Sequence, residues 1–178
     1  MTNVITVFGS SAPREGSLEY RTAYDCGKAL ALAGFTVCNG GYAGIMEASA
    51  KGARDSGGGT VGVTVGTWPR KANRWIQEEI KEETLIERLM KLVELGDAYV
   101  ILPGGTGTLL EFAYVLEYIN KALMDRKPIV LVGDFWEGVL ETLRKESVLT
   151  GNLDGTKSVH VVGNAAELVE YLREELKH

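Results

Sequence analysis

Short apolar segments alternate with helix-length amphipathic segments along the whole chain, and this alternation restricts the fold more than any single motif does. Asn3 to Phe8, Phe35 to Cys38, Thr60 to Val65, Ala98 to Leu102, Pro128 to Val132 and Ser158 to Val162 read as strands. Leu18 to Ala33, Ala43 to Asp55, Leu85 to Leu95, Thr108 to Leu123, Phe135 to Glu146 and Ala165 to Leu176 carry helical spacing. Ile80, within the charged stretch Glu78 to Glu83, marks a possible short edge strand. Strands that alternate with helices pair in parallel, because each helix carries the chain back to the start of the next strand. Several strands are apolar throughout, as expected where helices cover both sheet faces. The spacing therefore predicts an α/β fold, doubly wound, with a mainly parallel sheet and helices on both faces. With 178 residues, no internal repeat and no long linker, residues 1–178 are expected to form one domain.

In such a sheet, ligands bind at the carboxyl ends of the strands. Three glycine-containing turns follow strands and should emerge on that one edge. They are Gly9-Ser10-Ser11, Gly40-Gly41-Tyr42-Ala43-Gly44 and Gly104-Gly105-Thr106-Gly107-Thr108. The third is the sharpest. Glycines let a ligand approach the backbone, the following helix offers free N–H groups and a partial positive charge, and Thr106 and Thr108 add hydroxyls. A phosphate fits there. The turn lacks the GK[ST] ending of a P-loop, and the first turn does not spell GxGxxG, so neither an ATPase nor a dinucleotide site is indicated.

Three charged residues are candidates for chemistry, each with a plainer alternative. Thr108 and Glu111 have the spacing of a capping box, with Thr108 as N-cap. Alternatively, the Glu111 carboxylate lies beside a bound ribose, where it could orient water or stabilise positive charge on the sugar. Arg88 is either a solvated surface arginine or a donor to phosphate or base. Glu47 either compensates a helix dipole or faces the ligand. Trp68, Arg70, Lys71, Arg74 and Trp75 form a basic-aromatic loop that reads equally as a flap, a dimer contact or an ordinary connection. His160 and His178 are assigned no role, which sets histidine-based triads aside.

The net charge of −5 provides no basic stripe for long nucleic acid. Cys26 and Cys38 form no CxxC pair and have no nearby histidine, so no metal site is expected and both read as small buried side chains. No signal peptide or membrane-length apolar run is evident, so a cytoplasmic protein with no membrane partner is expected.

PGGTGTLLE, from Pro103 to Glu111, resembles the PGGxGTxxE signature of the LOG-like proteins, often labelled "possible lysine decarboxylase". The opening VFGSS, the NGGYAGIMEASAKGA segment and Glu87-Arg88 before the strand leading to the turn agree with that family along nearly the whole chain. The old label would require a pyridoxal phosphate lysine, for which the sequence gives no support. The resemblance implies a Rossmann-like homodimer, or a higher homo-oligomer, that binds a nucleoside monophosphate. It further implies cleavage of the base–ribose bond of AMP or a modified AMP to free base and ribose 5-phosphate, without a metal or organic cofactor. On that resemblance, Gly104, Gly105, Thr106, Gly107 and Thr108 hold the phosphate, while Glu111 and Arg88 are catalytic. Gly9, Ser10, Ser11, Gly40, Gly41, Gly44 and Glu47 are expected around the nucleoside. The chain departs from the phosphoribohydrolase form at Leu110, where PGGxGTLEE has an acid, and at Leu85-Ile86-Glu87-Arg88-Leu89, where that form reads MHERK. A related branch, which the short length and GIMEA segment also resemble, contains molybdenum-cofactor carriers. A non-catalytic nucleotide-binding or carrier protein is therefore the alternative expectation.

Overall fold

The computed structural model describes residues 2–151 and 154–176; His178 lies outside the described residues. The strands are β1 (Val4–Phe8), β2 (Thr36–Asn39), β3 (Thr60–Val65), β4 (Glu78–Glu82), β5 (Ala98–Ile101), β6 (Ile129–Val132) and β7 (Val159–Val162). The helices are α1 (Leu18–Leu32), α2 (Ile45–Asp55), α3 (Leu85–Leu95), α4 (Thr106–Asn120), α5 (Glu137–Thr150) and α6 (Ala165–Glu175). One sheet contains all seven strands in the order β4-β3-β2-β1-β5-β6-β7. Every pairing is parallel, including that of the charged edge strand β4 with β3. The expected mainly parallel sheet is thus wholly parallel among the described residues.

This order fixes where the helices lie. The chain winds outward from β1 through β2 and β3 to β4, then crosses back and continues through β5 to β7. Right-handed crossovers in opposite directions place their helices on opposite faces. The alternation of side chains along the central strands follows that division. Ile5 and Val7 of β1, with Ala98 and Val100 of β5, pack with α1, α2 and α6. Phe8, Tyr99 and Ile101 point the other way, into α3, α4 and α5. Both faces are covered, so the central strands are apolar nearly throughout, and burying them is the main source of stability. The buried Thr6 hydroxyl donates to the carbonyl of Leu92 at 3.0 Å and so avoids an unsatisfied polar group in this core. Cys26 and Cys38 are buried free thiols, each with its pKa pushed up to about 12, mainly by burial.

Two connections shape the site. Between β3 and β4 the return is made without a helix, by the segment 66–77. Between β1 and β5 the direction of winding reverses, which opens a crevice at their carboxyl ends.

Candidate functional site

The crevice is floored by two turns bound to each other. After β1, the backbone N–H of Ser10 donates to the carbonyl of Pro103, 3.1 Å away, in the turn after β5. The Ser10 carbonyl accepts from the N–H of Ile45 at 2.9 Å, which ties the start of α2 to the same point. Gly44 makes this approach possible: its φ is +69°, and a Cβ there would collide with the carbonyl of Ser10.

Past β5, α4 begins at Thr106 with Gly105 as its N-cap, and no side chain caps it. The first-turn N–H groups of Thr106, Gly107 and Thr108 are therefore left without a side-chain partner, at the positive end of the helix dipole. Gly105 and Gly107 face open space, whereas Gly104 packs so closely on Thr108 that a Cβ would collide with its hydroxyl. This start corrects the capping-box expectation for Thr108 and Glu111. Thr108 lies inside the helix, buried, and Glu111 lies a further turn along, too deep to cap the end.

The Glu111 carboxylate instead turns toward Arg88. A capping box does occur, one helix earlier: Thr84 accepts from the N–H of Glu87 at 3.2 Å, and Glu87 Oε2 accepts from the N–H of Thr84 at 2.9 Å. It fixes the start of α3 and directs the next residue, Arg88, inward. Arg88 is only 6% exposed. Its Nε donates to the carbonyl of Val63 at 2.8 Å and its Nη2 to that of Gly40 at 3.1 Å. Gly40 leaves the room for this, since a Cβ there would occupy the place of Nη2. The remaining nitrogen, Nη1, stands 3.7 Å from Glu111 Oε1, an ion pair longer than a hydrogen bond. The Tyr42 ring lies 5.6 Å from the guanidinium carbon, and its hydroxyl accepts from the N–H of Val65 at 2.9 Å.

Electrostatically, burial outweighs the mutual attraction for both partners. The Glu111 carboxyl, with its side chain 15% exposed, is pushed up to about 7 by burial, against the opposing pull of Arg88. Burial likewise lowers the Arg88 pKa, with Glu111 opposing. A guanidinium starts so high that it stays charged. The result is a fixed cation beside a carboxylate that titrates near neutrality.

These groups line a cavity of about 370 Å³. It brings together Gly9, Ser10, Ser11, Arg88, Gly105, Thr106, Gly107, Thr108 and Glu111 from the sequence expectation. The other expected residues lie elsewhere. Gly104 packs behind the turn, Gly40 supports Arg88, and Gly44 supports Ser10. Gly41, at φ +76°, is held by Asn39 Oδ1, which accepts from its N–H at 2.8 Å. Glu47 lines a neighbouring cavity. Met46, Leu85, Leu89 and Leu110 complete the lining without having been singled out as contacts, along with Tyr42, Trp68 and Arg70. For Trp68 and Arg70 the signal was the basic-aromatic loop: Trp68 stacks on Tyr42 with ring centres 5.7 Å apart. Asn39 and Asn73 carried no signal beyond their turn chemistry. Asn73 Nδ2 donates to the carbonyls of Gly41 and Tyr42 at 3.1 and 2.8 Å, locking the second turn to the 66–77 segment.

Comparison with known proteins gives the same picture across the chain. The SLOG cluster4 family matches residues 2–168. A Rhodococcoides fascians protein named cytokinin riboside 5'-monophosphate phosphoribohydrolase is 35% identical over 134 residues, covering 73% of this chain and 67% of that one. A protein of the same name from Mycobacterium tuberculosis is 36% identical over 155 residues, covering 84% and 79%. Among solved structures, the molybdenum cofactor carrier protein of Chlamydomonas reinhardtii superposes with a TM-score of 0.76 over the full length of both chains, at 24% identity, a likeness of fold alone. With its fold, its paired turns and these relatives in agreement, the chain belongs to the SLOG cluster4 family, among the LOG-like proteins.

Proposed function

We propose that this protein is a nucleoside 5'-monophosphate phosphoribohydrolase that acts on AMP or a modified AMP. The observation that carries the reading is the Glu111–Arg88 pair, 3.7 Å apart in a cavity bounded by the uncapped N-terminus of α4. The 5'-phosphate sits on the N–H groups and hydroxyls of Gly105 to Thr108, where the helix end favours negative charge. The ribose then lies over Glu111. Water attacks C1' and gives a proton to the Glu111 carboxylate as the bond from C1' to the base nitrogen breaks. The bond's electron pair leaves with the base, which takes up a proton from solvent, and ribose 5-phosphate remains. A carboxyl near 7 is well matched to accepting that proton at neutral pH. It also faces the positive charge that builds on the ribose as the bond breaks. Arg88, held by two carbonyls, has Nη1 left to donate a hydrogen bond to the departing base.

The relatives named phosphoribohydrolases support this assignment. A homodimer belongs to the same reading. Leu85 and Leu110 border the cavity, and Ile86, Met90 and Leu109 are exposed on the same two helices, an apolar surface that a second copy would cover. A nucleotide substrate and free cysteines fit the cytoplasm. No helix among the described residues is long and apolar enough to cross a membrane.

The test is release of free base from a panel of nucleoside monophosphates by the purified protein, followed by chromatography. Adenine should appear from AMP, and Glu111→Gln should abolish it while phosphate binding persists. Turnover of no panel member would overturn the assignment. Stoichiometric retention of a phosphorylated ligand without turnover would favour the carrier alternative for the same cavity.

A further inference from the structure

A second cavity, of about 440 Å³, adjoins the first and shares Ser11, Tyr42 and Arg70 with it. Its lining adds Arg14, Lys71 and Glu47. Three cations thus surround it against one carboxylate, in a chain whose net charge is −5. Other cations nearby are already engaged: Lys51 pairs with Glu15, and the Arg74 guanidinium lies 4.6 Å from the centre of the Trp75 ring. Arg14, Arg70 and Lys71 have no carboxylate within ion-pair distance among the described residues.

The surrounding structure holds this charge in place. Arg14 Nη1 donates to the carbonyl of Ser11 at 3.2 Å, which keeps its guanidinium by the turn that both cavities share. Arg70 and Lys71 lie on a segment, 66–75, that contains no acid. Asn73 anchors that segment, its N–H donating to the Gly41 carbonyl at 2.7 Å and its side chain to that of Tyr42 at 2.8 Å. Like charges gathered round one cavity repel each other, and a bound anion relieves that repulsion. Arginine forks are well suited to phosphoryl oxygens, and the Glu47 carboxylate can only accept, which suits a hydroxyl on the same ligand.

We infer that this cavity is a second anion subsite and that the preferred ligand is a modified AMP, one that carries a second phosphoryl group. The first phosphate sits at the start of α4 and the second among Arg14, Arg70 and Lys71, with Glu47 accepting from a neighbouring hydroxyl. The shared residues Ser11, Tyr42 and Arg70 place the two cavities side by side. The inference rests on the nucleotide reading of the first cavity. It adds that AMP alone leaves the second cavity unfilled.

Calorimetric titration of the full chain with AMP, ADP and adenosine 3',5'-bisphosphate tests it. At least one of the two doubly phosphorylated ligands should bind about tenfold or more tightly than AMP, the gain expected of a charge-assisted contact. The double variant Arg14→Ala/Lys71→Ala should lose that advantage and keep the wild-type affinity for AMP. Both side chains are exposed, so its melting temperature should match the wild type. Equal affinities across the panel, or an advantage that survives in the double variant, would overturn the subsite. If none of the three nucleotides binds, the nucleotide reading fails, and inorganic pyrophosphate tests the subsite separately. Pyrophosphate binding that disappears in the double variant would support the subsite, and no binding to the wild type would overturn it.

Discussion

Replacing Glu111 with glutamine should make the protein inactive and should raise its stability relative to wild type as pH rises through 7. In the folded chain the Glu111 carboxyl is pushed up to about 7, while in the unfolded chain it returns to the ordinary 4.5. Between those two values the native state binds more protons than the unfolded state, so this group's contribution to stability falls as pH rises. It is fully present below pH 4.5 and is lost by the time pH has passed 7. Applied to these two pKa values, linkage gives a loss on the order of 2 to 3 kcal/mol between pH 5 and pH 8. Glutamine keeps the shape and cannot ionise, so it escapes that loss. The rest of the molecule titrates alike in both proteins, and the difference between them isolates Glu111. Urea melts of both at pH 5 and pH 8 provide the assay. The variant should gain on the order of 2 to 3 kcal/mol relative to wild type on going to pH 8. Any fixed cost of exchanging the protonated carboxyl for the amide appears equally at both pH values and cancels. A stability difference unchanged with pH, or one that moves toward wild type on going from pH 5 to pH 8, would refute the claim that burial outweighs the attraction of Arg88.

The same ionisation should govern catalysis: kcat/KM for base release should fall below pH 7 along a single ionisation near 7, and a rate that stays level down to pH 5 would rule out Glu111 as the base. Gly107→Ala places a methyl in open space at the start of α4, so thermal melts should show equal or higher stability, by up to about 1 kcal/mol. Its affinity for AMP should fall at least about tenfold because the methyl stands where a ligand meets the backbone, and unchanged affinity would move the phosphate elsewhere. Arg88→Met deprives the buried carbonyls of Val63 and Gly40 of their donor and should cost about 3 kcal/mol in urea melts. A loss below about 1 kcal/mol would mean that those carbonyls find other donors.

The sheet was legible because its signal is local and repeated. Apolar runs such as Ala98–Ile101, closed by glycine turns, leave little choice of class. Helix ends were less legible. α5 runs on to Thr150, past the expected Glu146, and stops where Gly151 takes a left-handed conformation with φ +71°. The weakest strand signal, the charged β4, was readable only as a possible edge because its one inward apolar side chain, Ile80, gives no pattern. The three glycine turns were correctly seen to converge, since a parallel sheet sends all its strand ends to one edge. Which glycines would touch a ligand and which would only make room for Arg88 or Ser10 depends on contacts between residues far apart in the chain. Gly40 and Arg88 are such a pair.

The same distinction explains the two readings of Glu111. Thr108 and Glu111 satisfy the capping-box spacing as well as Thr84 and Glu87 do, so the spacing rule alone cannot separate them. What separates them is the residue at which each helix begins. Thr84 is followed directly by apolar helical positions, and its extended backbone makes it a working N-cap. Thr108 is preceded by a turn that already starts the helix at Thr106, with Gly105 taking the capping position and leaving the end uncapped. A side-chain cap at that end would occupy the N–H groups that, on the proposed function, receive the phosphate. Leaving it open moves Glu111 a turn deeper and aims it at the buried guanidinium. The capping box on α3 and its absence on α4 thus act together: one turns Arg88 inward, and the other leaves the first-turn N–H groups of α4 without a side-chain partner and Glu111 free to meet the guanidinium.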